Sequence, residues 1–348
     1  MTQAPDAAHE TLMFREAAEA PDAARRQLER CAPLLADLGR RLRALKPRVV
    51  VTCARGSSDH AATYGKYLVE TRLGVPVASV GPSVVSLYRS PLSLEGALFV
   101  AVSQSGRSPD LLRLSEMAKA AGALVVGIVN DETAPLADRC DAVLPLCAGP
   151  ERSVAATKSY LTSALAFLNL AAHWADDGAA QAAAAEAPRW LEAAKGCDWG
   201  PALSGLKETR GLYVVGRGLG AGAAMEMALK FKETCRLHAE AFSAAEVMHG
   251  PLELVGPGFP VLALTQDDAT LAPTRETVAR LVALGSPVMT TDVGVEGAAR
   301  LPVPEGVPAE LAPLAAVQAF YGALPALSLA RGLDPDRPAN LRKVTETV

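Results

Sequence analysis

A segment rich in hydroxyl side chains, Ser103–Ser108, has the composition of an anion-binding turn. Its sequence, SQSGRS, follows a short apolar run and precedes Pro109, a residue that suits the first position of a helix. The first backbone N–H groups of a helix have no partner within it and carry the positive end of its dipole, so hydroxyl groups beside them favour a bound phosphate. The side chains that we assign to this cradle are those of Ser103, Gln104, Ser105 and Ser108.

The ligand of this cradle is predicted to be a phosphomonoester on a small molecule. The segment does not match the G-x-x-x-x-G-K-[ST] pattern of a P-loop and offers no obvious magnesium ligands, which argues against ATP. A second strand-to-helix turn, Ala54–Ser58, places Ser57 or Ser58 where either could reach the same ligand. The alternative is a serine-rich turn that only caps its helix.

A second group of residues, on a predicted helix over residues 222–236, could transfer protons. Glu226, Lys230 and Glu233 fall on one face of that helix at spacings of four and three. The apolar residues around them would partly bury Lys230 and Glu233 and shift their pKa values, as a proton-transfer base requires. The alternative is a solvated face whose i,i+4 ion pairs contribute only ~0.3–0.5 kcal/mol each.

Two histidines follow this helix, and neither is predicted to bind a metal ion. His238 begins an H-x-E sequence that resembles zinc deaminases of bases, but the P-C-x-x-C that must follow it is absent. His249 precedes Gly250 and Pro251 at a predicted turn, from which its side chain could project into a cleft. A structural role is the alternative for His249.

These segments lie in two copies of one pattern. The Arg-Gly pairs that begin at Arg55 and Arg217 are 162 residues apart, and the same offset carries residues 96–104 onto residues 258–266. In each copy, short apolar runs alternate with Ala/Leu-rich segments, which predicts βαβ units and a parallel sheet with ligand sites at the carboxyl ends of its strands. We expect strands at residues 48–52 and 98–102, helices at residues 59–70 and 109–121, and a connection over residues 176–201.

The two copies differ in their expected chemistry. Where the first copy has the serine cradle, the second has Thr265-Gln266-Asp267-Asp268, whose carboxylates would repel phosphate or cap their helix. The glycine-rich turn Gly216–Gly222 does not follow the G-x-G-x-x-G spacing of dinucleotide-binding proteins. We therefore expect the first copy to hold the phosphate and the second copy to serve another role.

The composition excludes several classes of protein. A net charge of −4 over 348 residues, without a sustained basic stripe, argues against nucleic-acid or membrane-surface partners. Six cysteines without a C-x-x-C pair indicate free thiols in a reducing compartment. The N-terminus lacks the features of a signal peptide, and apolar runs such as Ala164–Phe167 are too short to span a bilayer. We expect a soluble cytoplasmic protein.

Four segments together resemble the tandem SIS-domain phosphosugar isomerases, in particular the isomerase half of glucosamine-6-phosphate synthases. They are Ser103–Ser108, Ala155–Lys158, Lys230–Pro251 and Asn340–Lys343. The resemblance covers nearly the whole chain and implies an α/β fold of two tandem SIS domains, each a flavodoxin-like three-layer αβα sandwich with a parallel sheet. The expected parts are an N-terminal arm (residues 1–35), a first SIS domain with the cradle (36–190), a second with the acid–base residues (200–334), and a tail that carries Lys343 (335–348).

The resemblance also implies roles for individual residues. Ser58 joins the four cradle residues in binding the sugar phosphate, while Val154 and Arg342 add main-chain contacts. Glu233 moves a proton between C1 and C2 of the sugar, and Lys230 lies beside it. His249 opens the sugar ring from the neighbouring subunit of a homodimer, and Lys343 forms a Schiff base with the ketose. The family needs neither a metal nor an organic cofactor.

The resemblance and the length together predict a glucosamine-6-phosphate deaminase, which would give fructose 6-phosphate and ammonia. Only about 45 residues precede the first predicted strand, too few for the glutaminase domain that supplies ammonia in the synthases. The alternatives are an ammonia-dependent synthase, a fructosamine-6-phosphate deglycase and a non-catalytic phosphosugar sensor. A sensor needs the cradle but no proton shuttle, so Glu233, His249 and Lys343 argue against it.

Overall fold

The structure, a computed structural model, describes residues 4–343 and the side chains of residues 7–343. The described chain divides into two structural units. The first unit comprises residues 22–151 and 158–186. The second unit comprises residues 4–21, 152–157 and 187–343.

Three helices precede the first sheet: α1 (Ala4–His9), α2 (Leu12–Ala18) and α3 (Ala20–Leu45). The helices α1 and α2 belong to the second unit, whereas α3 continues into the first unit. There the Gln27 side chain donates hydrogen bonds to the carbonyls of Pro145 and Thr162. The boundaries thus differ from the expected ones, because residues 4–21 join the second unit and residues 22–35 form part of a helix that is fixed to the first.

The first unit contains a sheet of five parallel strands. They are β1 (Val50–Cys53), β2 (Val77–Ser79), β3 (Leu98–Ser103), β4 (Leu124–Val129) and β5 (Ala142–Pro145), in the order β2-β1-β3-β4-β5. Every residue of β3 is buried, as expected of a central strand with helices on both faces. Thr52 of β1 lies opposite Val100 of β3, so the turns that follow these two strands lie at one edge of the sheet.

The helices of the first unit after α3 alternate with these strands or follow them. They are α4 (Ser57–Leu73), α5 (Ser83–Ser86), α6 (Pro109–Ala120), α7 (Pro135–Arg139), α8 (Lys158–Ala175) and α9 (Gly178–Ala185). One face of the sheet is filled by a core in which Phe99, Leu114 and Val125 are fully buried. The predicted strand over residues 98–102 and the predicted helix over residues 109–121 each end within one residue of the observed elements.

The second unit contains a sheet of the same topology. Its strands are β6 (Gly211–Gly216), β7 (His238–Ser243), β8 (Val261–Ala263), β9 (Val288–Thr290) and β10 (Ala299–Arg300). All are parallel and run in the order β7-β6-β8-β9-β10, which matches β2-β1-β3-β4-β5 strand for strand. Its later helices are α10 (Ala187–Ala194), α11 (Gly200–Ser204), α12 (Gly220–Cys235), α13 (Leu271–Ala283) and α14 (Ala312–Ala330).

Glycines at matching positions of the two units share a left-handed backbone. Gly56 and Gly218 follow β1 and β6 with φ of 54° and 58°. Gly122 and Gly285 precede β4 and β9 with φ of 84° and 80°. Residues with a Cβ rarely adopt this conformation, so the turns after β1 and β6 and the turns before β4 and β9 need glycine in both units.

The helix α14 is long and strongly apolar. By length and composition it could cross a membrane, but 83% of its apolar 18-residue stretch is buried inside the protein. The expectation that the apolar runs are too short to span a bilayer is wrong for this stretch, whose 19 residues are long enough. A helix that is apolar on all sides and buried is a core helix, and α14 packs against α12 through Phe320, which contacts Phe231 edge-on.

The close packing of α4 on α8 depends on a missing side chain. A Cβ at Gly65 of α4 would lie 2.3 Å from Cδ1 and 2.4 Å from Cγ of Phe167, whose ring is buried. We expect Gly65→Ala to lower the free energy of unfolding by about 1–3 kcal/mol through overpacking. The control is Gly322→Ala in α14, where the added Cβ would lie more than 4 Å from every described heavy atom outside its adjacent residues and the nearby backbone of its own helix. It should raise stability by up to about 1 kcal/mol through helix propensity. Denaturant melts of both variants decide, and stabilisation by both would contradict this account of the packing.

Candidate active site

The serine cradle is a tight turn between β3 and α6. Ser103, the last residue of β3, is only 8% exposed, and its Oγ accepts a hydrogen bond of 3.0 Å from the N–H of Gly106. Gly106 has φ of 62°, and a Cβ there would lie 2.7 Å from the Cβ of Ala134. The turn therefore needs glycine at this position to fold back onto Ser103.

Three cradle side chains remain available to a ligand. Within the described part of the chain, the side chains of Gln104, Ser105 and Ser108 make no hydrogen bond, and all three are partly exposed. Ser108 directly precedes α6 with an extended backbone but does not cap it. The description of the cradle as a turn that only caps its helix does not fit, because the Ser108 hydroxyl at the start of α6 makes no hydrogen bond to the backbone of that helix.

The arginines beside the cradle are paired with carboxylates. Arg107 donates to Asp131 over 2.9 Å, and Arg55 donates to Asp110 over 2.6 Å. Asp110 is 1% exposed in the first turn of α6, where a negative charge is favoured by the helix dipole. Ser57 and Ser58 begin α4 after the neighbouring strand β1, and both are partly exposed. The structure thus brings the predicted phosphate ligands of the first unit to one edge of its sheet.

The corresponding loop of the second unit satisfies its own polar groups. The side-chain amide of Gln266, which is 3% exposed, donates to the Arg217 carbonyl over 2.8 Å and to the Thr270 hydroxyl over 2.8 Å. Asp268 accepts from the N–H and the hydroxyl of Thr270, two residues further on, in the manner of an Asx turn. This loop has the position of the cradle but not its available hydroxyl groups.

The proton-transfer candidates of the second unit form a buried ion cluster on α12. The ammonium of Lys230 lies 3.1 Å from Glu226 Oε1 and 2.6 Å from Glu233 Oε2, and the side chains of Lys230 and Glu226 are fully buried. The Tyr321 hydroxyl of α14 donates to the same Glu226 oxygen over 2.7 Å. Only Glu233 reaches solvent, with 20% of its side chain exposed. A solvated row of i,i+4 pairs is therefore the wrong description of this face.

The two carboxylates decide the charge of Lys230. Burial alone would lower the pKa of its ammonium, but the charges of Glu226 and Glu233 and their hydrogen bonds raise that pKa above its ordinary value. Lys230 is therefore a fixed cation at neutral pH. It holds Glu233 in place and cannot itself act as a base.

Tyr321 belongs to this cluster, but its sequence context does not predict this role. A single tyrosine within an apolar helix is a weak signal, since such residues are usually core residues with one polar atom. Its partner Glu226 lies 95 residues away in sequence, so no local pattern connects them.

The two histidines lie at the surface of the second unit. His249 is exposed at the junction of two short 3₁₀ helices, Glu246–Met248 and Gly250–Leu254, and His238 is exposed at the start of β7. Within residues 7–343, no three His, Cys, Asp or Glu side chains are arranged to hold a metal ion.

Lys343 is fixed by a loop of the second unit. Its Nζ donates to the Ser153 carbonyl over 2.7 Å, and it is partly buried, while Arg342 is exposed. The N–H of Val154, the next residue of that loop, donates to the Asp336 carbonyl over 3.2 Å. The predicted tail lysine and the predicted contact residue Val154 thus lie on two sides of one peptide unit.

Comparison with known proteins identifies the family. The family model of the SIS domain matches residues 45–173, which contain the first sheet, and residues 205–290, which contain β6 to β9 of the second. The chain belongs to the SIS domain family. This confirms the predicted family and the predicted α/β fold of two SIS domains with parallel sheets.

Curated relatives of this SIS protein are named glutamine–fructose-6-phosphate aminotransferase [isomerizing]. The protein from Symbiobacterium thermophilum is 37% identical over 335 residues, and that from Aeropyrum pernix is 33% identical over 344 residues. The matches cover 87% and 91% of this chain but 52% of each relative. The chain therefore spans about half the length of the curated relatives that it matches.

Two solved structures resemble the SIS chain over almost its whole length. A protein from Silicibacter pomeroyi, provisionally described as a phosphosugar isomerase, is 44% identical with a TM-score of 0.89, over 94% of this chain and 100% of the other. A glucosamine-6-phosphate deaminase from Thermotoga maritima has a TM-score of 0.78 at 21% identity, over 97% of this chain and 100% of the other. The second likeness concerns the fold alone.

The cradle of this SIS protein can be tested with inorganic phosphate. We expect Ser105→Ala to weaken phosphate binding about tenfold, because a hydrogen bond to a charged group is lost. Asp267→Ala, at the corresponding position of the second unit, should not weaken it. Titration calorimetry measures both affinities. Unchanged binding by Ser105→Ala would exclude the cradle as the phosphate site.

The ion cluster can be tested by removing its cation. Lys230→Met should lower the free energy of unfolding by about 3–5 kcal/mol, because Glu226 is left as a buried carboxylate without a counter-ion. Adding Glu226→Gln should recover part of that loss. Denaturant melts of the single and double variants provide the measurement. A Lys230→Met protein as stable as the wild type would show that the pair is not buried as described.

Proposed function

We propose that the chain is an enzyme that isomerises glucosamine 6-phosphate and releases ammonia to give fructose 6-phosphate. The observation that carries the proposal is the ion cluster on α12. The fully buried ammonium of Lys230 binds one carboxylate oxygen of Glu233, and Glu233 is the one carboxylate of the cluster that reaches solvent. A positioned carboxylate of this kind is suited to moving a proton between neighbouring carbon atoms.

The comparisons support the substrate class. The curated relatives carry names for isomerising amino transfer to fructose 6-phosphate, and the 44% identical structure is described as a phosphosugar isomerase. The available hydroxyl groups of Ser105 and Ser108 fit the phosphate of such a sugar. A bound phosphate would orient the sugar and reduce the entropy that the proton transfer must overcome.

The proposed reaction follows from these roles. His249 assists opening of the sugar ring, and Glu233 removes the C2 proton and returns it to C1, which converts the amino aldose into a C2 imine. Lys343 replaces the amine at C2 as a Schiff base and ammonia leaves. Water then releases fructose 6-phosphate and restores the lysine. The sum is one water consumed and one ammonia released, without a metal or organic cofactor.

We also propose a cytoplasmic homodimer in which His249 serves the site of the neighbouring subunit. His249 is exposed at the surface of the second unit, so its side chain is accessible to a neighbouring subunit. Leu254, which ends the 3₁₀ helix that follows His249, is 62% exposed. Exposed apolar surface in this segment suits a subunit contact.

A second candidate is ammonia-dependent synthesis, the same reaction run in reverse. The names of the curated relatives favour it, since they describe transfer of an amino group to fructose 6-phosphate. The purified protein should be assayed in both directions, with glucosamine 6-phosphate alone and with fructose 6-phosphate plus ammonium. A fructosamine 6-phosphate assayed in parallel tests a larger leaving amine. No conversion of any of the three would overturn the proposal.

The role of Glu233 gives a sharp prediction. Glu233→Gln retains a hydrogen-bond acceptor for Lys230 but removes the basic oxygen, so turnover should fall by ~10²–10⁴-fold or more while substrate affinity stays nearly unchanged. Exchange of the substrate C2 proton with solvent deuterium should disappear with it. Glu276→Gln, an exposed carboxylate on α13, is the matched control and should behave as the wild type. Turnover by Glu233→Gln at the wild-type rate would exclude this residue as the base.

A further inference from the structure

The loop that carries Val154 has its backbone N–H groups bound by the carboxylate of Glu16 and by the main-chain carbonyl of Asp336. The Glu16 carboxylate of α2 accepts from the N–H of Arg152 over 2.5 Å and from the N–H of Ser153 over 3.1 Å. The loop has no helix or strand to satisfy these groups, and buried donors without partners are costly. Glu16 is 5% exposed and Ser153 is fully buried, so the hydrogen bond between them lies inside the protein.

The third N–H group of the loop is held from the tail. Val154 donates to the carbonyl of Asp336, and the Asp336 carboxylate accepts from the N–H groups of Leu12 and Met13 over 2.7 and 2.8 Å. These two N–H groups begin α2, where the helix leaves them without an internal partner. Asp336 thus ties the first turn of α2 to the loop, and Glu16 ties the second turn to it.

Peptide geometry connects these hydrogen bonds to Lys343. The carbonyl of Ser153 and the N–H of Val154 belong to one planar peptide unit and point in opposite directions, since no cis peptide occurs in the described chain. When the Val154 N–H points to Asp336, the Ser153 carbonyl must point the other way, and it accepts from Lys343 Nζ there over 2.7 Å. The direction of that carbonyl sets where the lysine amine is held.

We propose that Glu16 and Asp336 are positioning residues. The N-terminal helix α2 then supports the loop of residues 152–154 and is not an arm outside the domains. Together Glu16 and Asp336 fix residues 152–154, and through the Ser153 carbonyl they place the amine of Lys343 for attack on the ketose carbon. The inference rests on the proposed function only for the role of Lys343. The hydrogen bonds that join residues 152–154 to Glu16 and Asp336, which we call the clamp, lie within the second unit and do not depend on the proposed function.

The test compares Glu16→Ala, which removes both acceptors, with Glu16→Gln, which retains one. Glu10→Gln, an exposed carboxylate between α1 and α2, is the matched control. Hydrogen–deuterium exchange of the peptide that contains residues 152–154 should speed up in Glu16→Ala, less in Glu16→Gln, and not in Glu10→Gln. This readout needs no activity, so it tests the clamp even if the proposed reaction is wrong.

Positioning is tested by trapping the lysine. Wild-type protein with fructose 6-phosphate and borohydride should form a reduced adduct at Lys343, detected by peptide mass spectrometry. In Glu16→Ala the trapping rate and kcat should both fall about 10- to 100-fold with KM nearly unchanged, because misplacing a reacting group by about 1 Å can cost that much. Glu16→Gln should recover part of both, and it serves as the test variant if Glu16→Ala does not fold.

The outcomes separate the two proposals. Unchanged amide exchange in both Glu16 variants would overturn the clamp, whatever the activity. Faster exchange with wild-type trapping and kcat would overturn the positioning role and leave the proposed function standing. A wild-type protein that turns over no sugar phosphate and forms no adduct at Lys343 would overturn the proposed function, and the positioning of Lys343 with it.

Discussion

The burial of one positive charge organises the second unit. Removing an ammonium from water is costly unless its charge is matched inside the protein, and Lys230 is matched by Glu226 and Glu233 on the same helix. Glu226 in turn requires a buried donor, which Tyr321 supplies from α14. The packing of α12 against α14 is therefore part of the electrostatics, and it leaves Glu233 as the one member of the cluster with access to solvent. A carboxylate that is fixed on one side and open on the other has the form that proton transfer needs.

The same sheet topology supports two loops of opposite chemistry. After β3, one serine oxygen of the cradle is bound within its own turn, and within residues 7–343 the hydroxyl groups of Ser105 and Ser108 make no hydrogen bond. After β8, Gln266, Asp268 and Thr270 satisfy one another. A loop binds an anion only when its donors are not already engaged, because each internal bond must otherwise be broken first. The same topology thus supports a loop with available hydroxyl groups in one unit and a loop whose polar groups are already engaged in the other.

Much of this could be predicted from the sequence, because local patterns carry it. The apolar run before Ser103 and the proline after Ser108 predict β3 and α6 to within one residue, and the spacing of Glu226, Lys230 and Glu233 predicts their common face. Features that depend on distant segments could not be predicted. Tyr321 meets Glu226 across 95 residues, and Glu16 meets Ser153 across 137. The predicted roles of the cradle, Glu233, His249 and Lys343 stay predictions until they are measured.

The proposed chemistry has no preferred direction of its own. A base that moves the C2 proton to C1 also moves it back, and a lysine that displaces ammonia from an imine also yields to ammonia, because each step passes through the same transition state both ways. Positioning residues such as Glu16 and Asp336 would speed both directions equally, since they act on where Lys343 is held and not on what leaves. Direction therefore follows from mass action. Where free ammonia is scarce, water captures the Schiff base and deamination proceeds; where ammonia accumulates, the same groups drive synthesis.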